Sequence, residues 1–159
     1  MPIETFAKKK DGPLQIKGRL ITSGTYKDSV LGEFKLSTEE LHRSMQKWIG
    51  IPIFTSHNIF QEIVTGKNPS IRDVVGKITS VSWNPEDEGI DYFADIYDND
   101  ISEKIRAGLI RFISAGFARD VQTEKDGIRY QNYLINIEPG EASMVFNPRD
   151  PNAEFKAVQ

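Results

Sequence analysis

The residues with the chemistry of a hydrolase begin with a serine. Ser114 lies in the stretch Ile110-Arg111-Phe112-Ile113-Ser114-Ala115-Gly116-Phe117-Ala118, which is apolar on both sides of the hydroxyl. Alternate residues of a strand share a face, so Ser114 and Gly116 stand on one side with nothing large between them. A hydroxyl with a bare approach suits a nucleophile. Such a nucleophile also requires an imidazole to take its proton and a third group to hold that imidazole. The chain has two histidines. His42 follows a helix capping box and sits one step off the apolar stripe, the place of a half-exposed helix residue. His57 stands where the apolar run Ile51-Pro52-Ile53-Phe54 opens into Thr55-Ser56-His57-Asn58. Loop starts held by a scaffold commonly carry catalytic groups, and the imidazole pKa lies near neutral. Ser114 is thus the candidate nucleophile and His57 its base. A serine, a histidine and a glutamate in one sequence prove little by themselves.

Most of the chain reads as strands and turns around these groups. Leu14 to Tyr26 alternates, with Leu14, Ile16, Gly18, Leu20 and Thr22 on one side and Gln15, Lys17, Arg19 and Ile21 on the other, as in a half-buried strand. Ser37-Thr38-Glu39-Glu40 is a capping box, and Leu41, Met45 and Trp48 follow at helical spacing until Gly50 stops the helix. Ile51 to Phe54 is a short strand whose proline assigns it to an edge or a strand start. Gln61 to Asp73 is a polar loop. Val74 to Trp83 and Ile90 to Tyr97 form a hairpin around Asn84-Pro85-Glu86-Asp87-Glu88-Gly89. Asp98-Asn99-Asp100 caps a short helix in which Ile101, Ile105 and Leu109 recur every fourth residue. The Ser114 strand turns at Lys125-Asp126-Gly127 and returns as Ile128 to Ile137. Glu138-Pro139-Gly140 then breaks the chain before a short strand at Glu141 to Val145. Asn147 to Ala153, with two prolines, is extended. These readings divide the chain into a loose leader over 1–13, a single domain over 14–153 and a tail over 154–159.

Composition excludes several functions. The chain of 159 residues is 27% charged and 38% hydrophobic, the balance of a one-domain globular protein. Its net charge of −3 gives no expectation of a nucleic-acid or anionic-membrane partner. It has no cysteine, which excludes disulfides, thiolate zinc sites and cysteine nucleophiles. No apolar run is long enough to span a bilayer. Lys8-Lys9-Lys10 follows the first apolar residues, the reverse of a secretory signal, so cytoplasm is the default expectation. Gly66-Lys67 lacks the remaining residues of a phosphate-binding loop. The carboxylates of the 84–89 turn do not have calcium-loop spacing. No Gly-x-Ser-x-Gly elbow is present, which argues against an α/β-hydrolase.

Several segments, taken in order, resemble the tailed-phage prohead (capsid maturation) serine proteases, a family distantly related to the herpesvirus assembly protease. Ile16-Lys17-Gly18-Arg19-Leu20-Ile21-Thr22-Ser23-Gly24 resembles the family's first strand, and Ile53-Phe54-Thr55-Ser56-His57-Asn58 its histidine-bearing strand end, although Asn58 stands where an acidic residue often follows. Val75-Gly76-Lys77-Ile78 and Gly89-Ile90-Asp91-Tyr92-Phe93-Ala94 resemble the next hairpin. Ile113-Ser114-Ala115-Gly116-Phe117 resembles the Ser-x-Gly-Phe nucleophile strand. Glu141-Ala142-Ser143-Met144-Val145 and Pro148 to Ala153 resemble the closing segments, with Arg149 where a small residue is usual.

The resemblance implies that Ser114 attacks the scissile carbonyl, that His57 serves as base and then acid, and that Glu141 holds the imidazole, with Glu138 as the nearby competitor for that last role. Ser143 is read as packing or hydrogen bonding. Backbone amides near Ala115 and Gly116, or at Asn147 and Arg149, are the candidate oxyanion donors. The implied fold is α+β: a compact, mostly antiparallel, barrel-like sheet with two or three short helices, like the herpesvirus protease. The implied activity is limited proteolysis of scaffold and major capsid proteins, including self-processing, inside the immature prohead in the host cytoplasm. No metal or other cofactor, no nucleic acid and no membrane enter that expectation, and a homo-oligomer is compatible with it. The alternative is a catalytically inactive capsid assembly or scaffold component with the same fold.

Overall fold

In a computed structural model of the chain, residues 12–28, 31–55, 73–148 and 150–158 are described. Alternating apolar residues organise them into nine strands and two short helices. β1 (Leu14–Thr22), β2 (Gly24–Asp28) and β3 (Gly32–Leu36) lead into helix α1 (Thr38–Ser44) and a 3₁₀ turn over Met45–Trp48. β4 (Pro52–Phe54), β5 (Val74–Asn84) and β6 (Gly89–Ile96) follow, then helix α2 (Asn99–Arg106), β7 (Phe112–Asp126), β8 (Arg129–Val145) and β9 (Phe155–Ala157). The protein is α+β and mostly strand. No helix among the described residues is long and apolar enough to cross a membrane.

The strands form one sheet in the order β2-β3-β8-β4-β5-β6-β1-β9, with β7 paired to β8. Pairing is antiparallel except where β3 and β4 run parallel to β8. The barrel-like expectation is corrected, because the sheet is open. β7 and the chain before β9 touch at a single bridge, Phe112 to Glu154. Two hydrogen bonds flank it, Ile113 N to Ala153 O at 3.3 Å and Phe155 N to Arg111 O at 2.9 Å. The contact stops there because Asp150 turns the chain, its carbonyl accepting from Ala153 N at 3.0 Å. Pro151 has no amide to extend a ladder.

Residues 154–159, read as a tail, instead contain β9. Phe155 is buried, and Gly18, Lys17 and Ile16 of β1 pair with Phe155, Lys156 and Ala157. A Cβ at Gly18 would lie 2.6 Å from the Glu154 carbonyl and 2.8 Å from Phe155 Cα, so glycine there admits the closing strand. Of the leader, residues 1–11 lie outside the described residues.

Two bulges place the core. Arg19 pairs with Asp91 and Ile21 with Ile90, leaving Leu20 as the extra residue of β1. Strict alternation therefore fails, and Leu20 and Ile21 are both buried. On β5, Ile78 pairs with Ala94 and Ser80 with Phe93, leaving Thr79 as the extra residue. The inward phase moves from Ile78 to Val81 and Trp83, which pack on the core. A bulge shifts side-chain phase by one residue, which a reading of plain alternation does not register.

The helices begin where their caps indicate. Ser37 Oγ accepts from Glu40 N at 3.2 Å, and Asp98 Oδ1 from Ile101 N at 2.9 Å. Glu40 does not complete the capping box by reaching back; it pairs with Arg43 at 2.7 Å. Leu41 and Trp48 are buried, but the helix tightens to a 3₁₀ turn after Ser44. α2 ends at Arg106, and Gly108 follows with φ +76. Leu109 is therefore off the helix and 63% exposed, instead of on its apolar stripe.

Arg19, 8% exposed, ties β1 to the hairpin. Its guanidinium donates to Asp91 at 2.5 Å, Asp87 at 2.9 Å and Thr22 Oγ1 at 3.0 Å. The carboxylates are partly solvated, which screens the pairs, yet Arg19→Ala would remove the buried group that joins both of them to β1. Chemical denaturation should show a loss of about 1–2 kcal/mol, shrinking as salt rises. No loss would mean that the cluster is only surface decoration.

Candidate active site

β7 and β8 set the geometry. Their register pairs Ser114 with Ser143, Ala115 with Ala142 and Gly116 with Glu141. Directly opposed residues of an antiparallel pair point to the same face. Ser114, Gly116, Ser143 and Glu141 thus occupy one face, while Ile113, Ala115, Ala142 and Met144 occupy the other. β4 lies along the far side of β8, with Phe54 beside Ser143 and Ile53 beside Ala142. A transverse row of Phe54, Ser143 and Ser114 therefore crosses three strands. Pro52 begins β4, as its missing amide requires, but β4 is interior to the sheet instead of at its edge.

Glu141 and Ser143 are both fully buried, and Ser114 is half-buried. The Ser143 hydroxyl donates to Glu141 Oε2. The Glu141 side chain lies over Gly116: a Cβ there would fall 2.8 Å from Glu141 Cδ. This corrects the sequence reading of Gly116 as an open approach to Ser114, since the space above the glycine holds the carboxyl. Burial pushes the Glu141 carboxyl up to about 7, and the Ser143 hydrogen bond opposes that rise.

The two glutamates at the break separate clearly. Glu138 is exposed and pairs with Lys47 at 2.6 Å, whereas Glu141 points into the Ser114 face. A bulge divides them. Phe117 pairs with Pro139 and Gly116 with Glu141, leaving Gly140 as the extra residue. The expected break at Glu138-Pro139-Gly140 is thus a phase shift inside one 17-residue strand. A second shift follows between Ala118 and Asp120, near Asn136 with φ 54.

Among the candidate oxyanion donors, antiparallel alternation distinguishes two. Ile113 N–H points away from β8, to Ala153. Ala115, two positions on, directs its N–H to that same side, and the intervening amides of Ser114 and Gly116 point toward β8. Ala115 therefore presents a donor along the outer edge of β7, while Gly116 faces the ladder. Asn147 is exposed, and Arg149 lies outside the described residues. His57 also lies outside them; β4 ends at Phe54, three positions earlier. His42 is exposed and packs on Trp83, with ring centroids 3.8 Å apart and planes tilted by 34°, the surface helix position its sequence context indicates.

Sequence reasoning passed over Asp150, a buried carboxylate near the Ser114 strand. Its signal was the Asp-Pro-Asn turn: Asp150 Oδ1 accepts from Asn152 N at 2.9 Å. No protein-family model matches the chain, and no curated protein matches it in sequence.

Two measurements check this geometry. Gly116→Ala must displace a buried carboxyl, so unfolding should show a loss of about 1–3 kcal/mol; an unchanged stability would mean that Glu141 does not rest there. The raised Glu141 value also has a signed consequence. The folded chain holds that proton more tightly than the unfolded chain, whose carboxyl titrates near 4.5. The stabilisation is complete below about 4.5 and is lost as pH rises through about 7, a difference on the order of 3 kcal/mol. Denaturation at pH 5 and pH 8 should show that fall, and Glu141→Gln should remove it.

Proposed function

We propose that the chain is a serine endopeptidase of the prohead type, cleaving scaffold and capsid proteins, itself included, within the immature shell in the host cytoplasm. Ser114 attacks the scissile carbonyl. His57 takes the serine proton and returns it to the leaving amine, and Glu141 holds and stabilises the imidazolium. The Ala115 N–H faces the developing oxyanion. The observation that supports this most is the β7–β8 pairing, which brings segments nearly thirty residues apart into one row: Ser114 against Ser143, whose hydroxyl engages a buried Glu141 over Gly116. The end of β4, the strand that precedes His57, lies beside the same row.

A small alkyl fluorophosphonate tests the reading. The Ser114 oxygen forms a bond to phosphorus, the P–F bond breaks, fluoride leaves and the serine proton passes to His57. Intact mass should show one adduct, mapped to Ser114 and absent from Ser114→Ala and His57→Ala. Labelling elsewhere, or none, supports the inactive assembly component. Because Glu141 must be ionised to support an imidazolium, the labelling rate should rise as pH passes through about 7. Glu141→Gln should lower the rate by about 10³–10⁴-fold, and a rate flat across that range or indifferent to the variant would remove Glu141 from the mechanism.

A further inference from the structure

A second feature adjoins Ser114 on the other side of β7. Strands β1, β2, β3 and β7 leave a cavity of about 50 Å³ with apolar walls that include Leu20, Phe34, Leu36 and Ile113. Ser114, Ala115 and Tyr26 also line it, and each keeps partial exposure, so its exposed side runs between β2 and the outer edge of β7. That is the edge toward which the Ala115 N–H points.

One polar group in this wall is unsatisfied. Asp150 is 8% exposed. Its Oδ1 accepts from Asn152 N, but its Oδ2 is buried with no hydrogen-bond partner among the described residues. The neighbouring Tyr26 hydroxyl does not serve it, donating instead to the Thr22 carbonyl at 2.5 Å. A buried carboxylate oxygen without a donor is costly, and buried charges are normally paired. An unmet acidic acceptor in an apolar wall is the complement of a side chain with an apolar stem and a cationic tip. Size narrows the choice. The cavity is small, which favours the slimmer of the two cationic side chains. Lysine beyond Cβ has four heavy atoms, and arginine has six.

We propose that this cavity is the specificity pocket for the substrate residue on the N-terminal side of the scissile bond, and that it takes lysine, with Asp150 Oδ2 receiving the ammonium. The proposal rests on the proteolytic reading of Ser114. A peptide laid along the outer edge of β7 places its carbonyl oxygen at the Ala115 N–H, its side chain in the cavity and its carbonyl carbon toward the Ser114 hydroxyl.

The test uses the full chain and two diphenyl phosphonates that differ only in side chain, one lysine-like and one norleucine-like. The lysine probe should label Ser114 about tenfold faster or more, the factor expected of a hydrogen bond to a charged group. The preference should collapse in Asp150→Asn, which keeps the acceptor for Asn152. Equal rates in the wild type, or a preference that survives in Asp150→Asn, overturn the pocket. If Asp150→Asn fails to fold, the wild-type pair of rates decides alone. The small alkyl fluorophosphonate has no side chain to place and separates the two claims. If it labels Ser114 while the two phosphonates react equally, the protease stands and the lysine pocket falls. If it labels nothing, both fall.

Discussion

The structure depends on the contact between a buried carboxyl and a glycine directly across an antiparallel ladder. Glu141 lies over Gly116, so no residue with a Cβ fits at 116 without moving the carboxyl. The contact fixes which residues of β7 and β8 face each other, and thereby places Ser114 opposite Ser143. A one-residue slip would turn every side chain of one strand to the other face. It would carry Glu141 into the apolar layer of Ile113 and Ala142, where a charged group is costly. Register, burial and the chemistry of the row therefore form a single constraint.

The bulges act on the same constraint. The extra residue at Gly140 lets Glu138 reach solvent and Lys47 while Glu141 turns inward, although the two belong to one strand. The extra residue at Leu20 leaves Arg19 beside Asp91 and sends Leu20 and Ile21 into the core. In both places a charged residue close to an apolar run keeps a suitable partner because the strand changes phase. Bulges of this kind commonly re-aim side chains near functional sites.

Part of this was legible in the residues. The capping serine and aspartate marked both helix starts, because their side chains are the acceptors that the first helical amides require. The 74–97 hairpin and the 112–137 hairpin followed from alternation and turn residues. The β2–β3 hairpin did not, since β2 carries a single large apolar residue, Tyr26, and the outer edge of β3 is held by β8, far along the chain. β9 was hidden because three residues carry little pattern, and its anchor is the glycine at position 18 of a distant strand. At the site, the serine, the glycine and the glutamate were visible as residue types. Their facing relation was not, since it depends on a bulge that reads as a strand break. The Asp150 acceptor was also hidden, because its significance lies in the hydrogen bond it lacks.

The central claim is that Glu141 and Ser114 act through one imidazole. With two histidines in the chain, the His57 ring protons can be assigned by NMR with a single His57→Gln variant. Their titration can then be followed in the wild type and in Glu141→Gln. The account predicts that removing the carboxylate lowers the His57 pKa, because an adjacent negative charge favours the imidazolium. A His57 titration identical in the two proteins would contradict it.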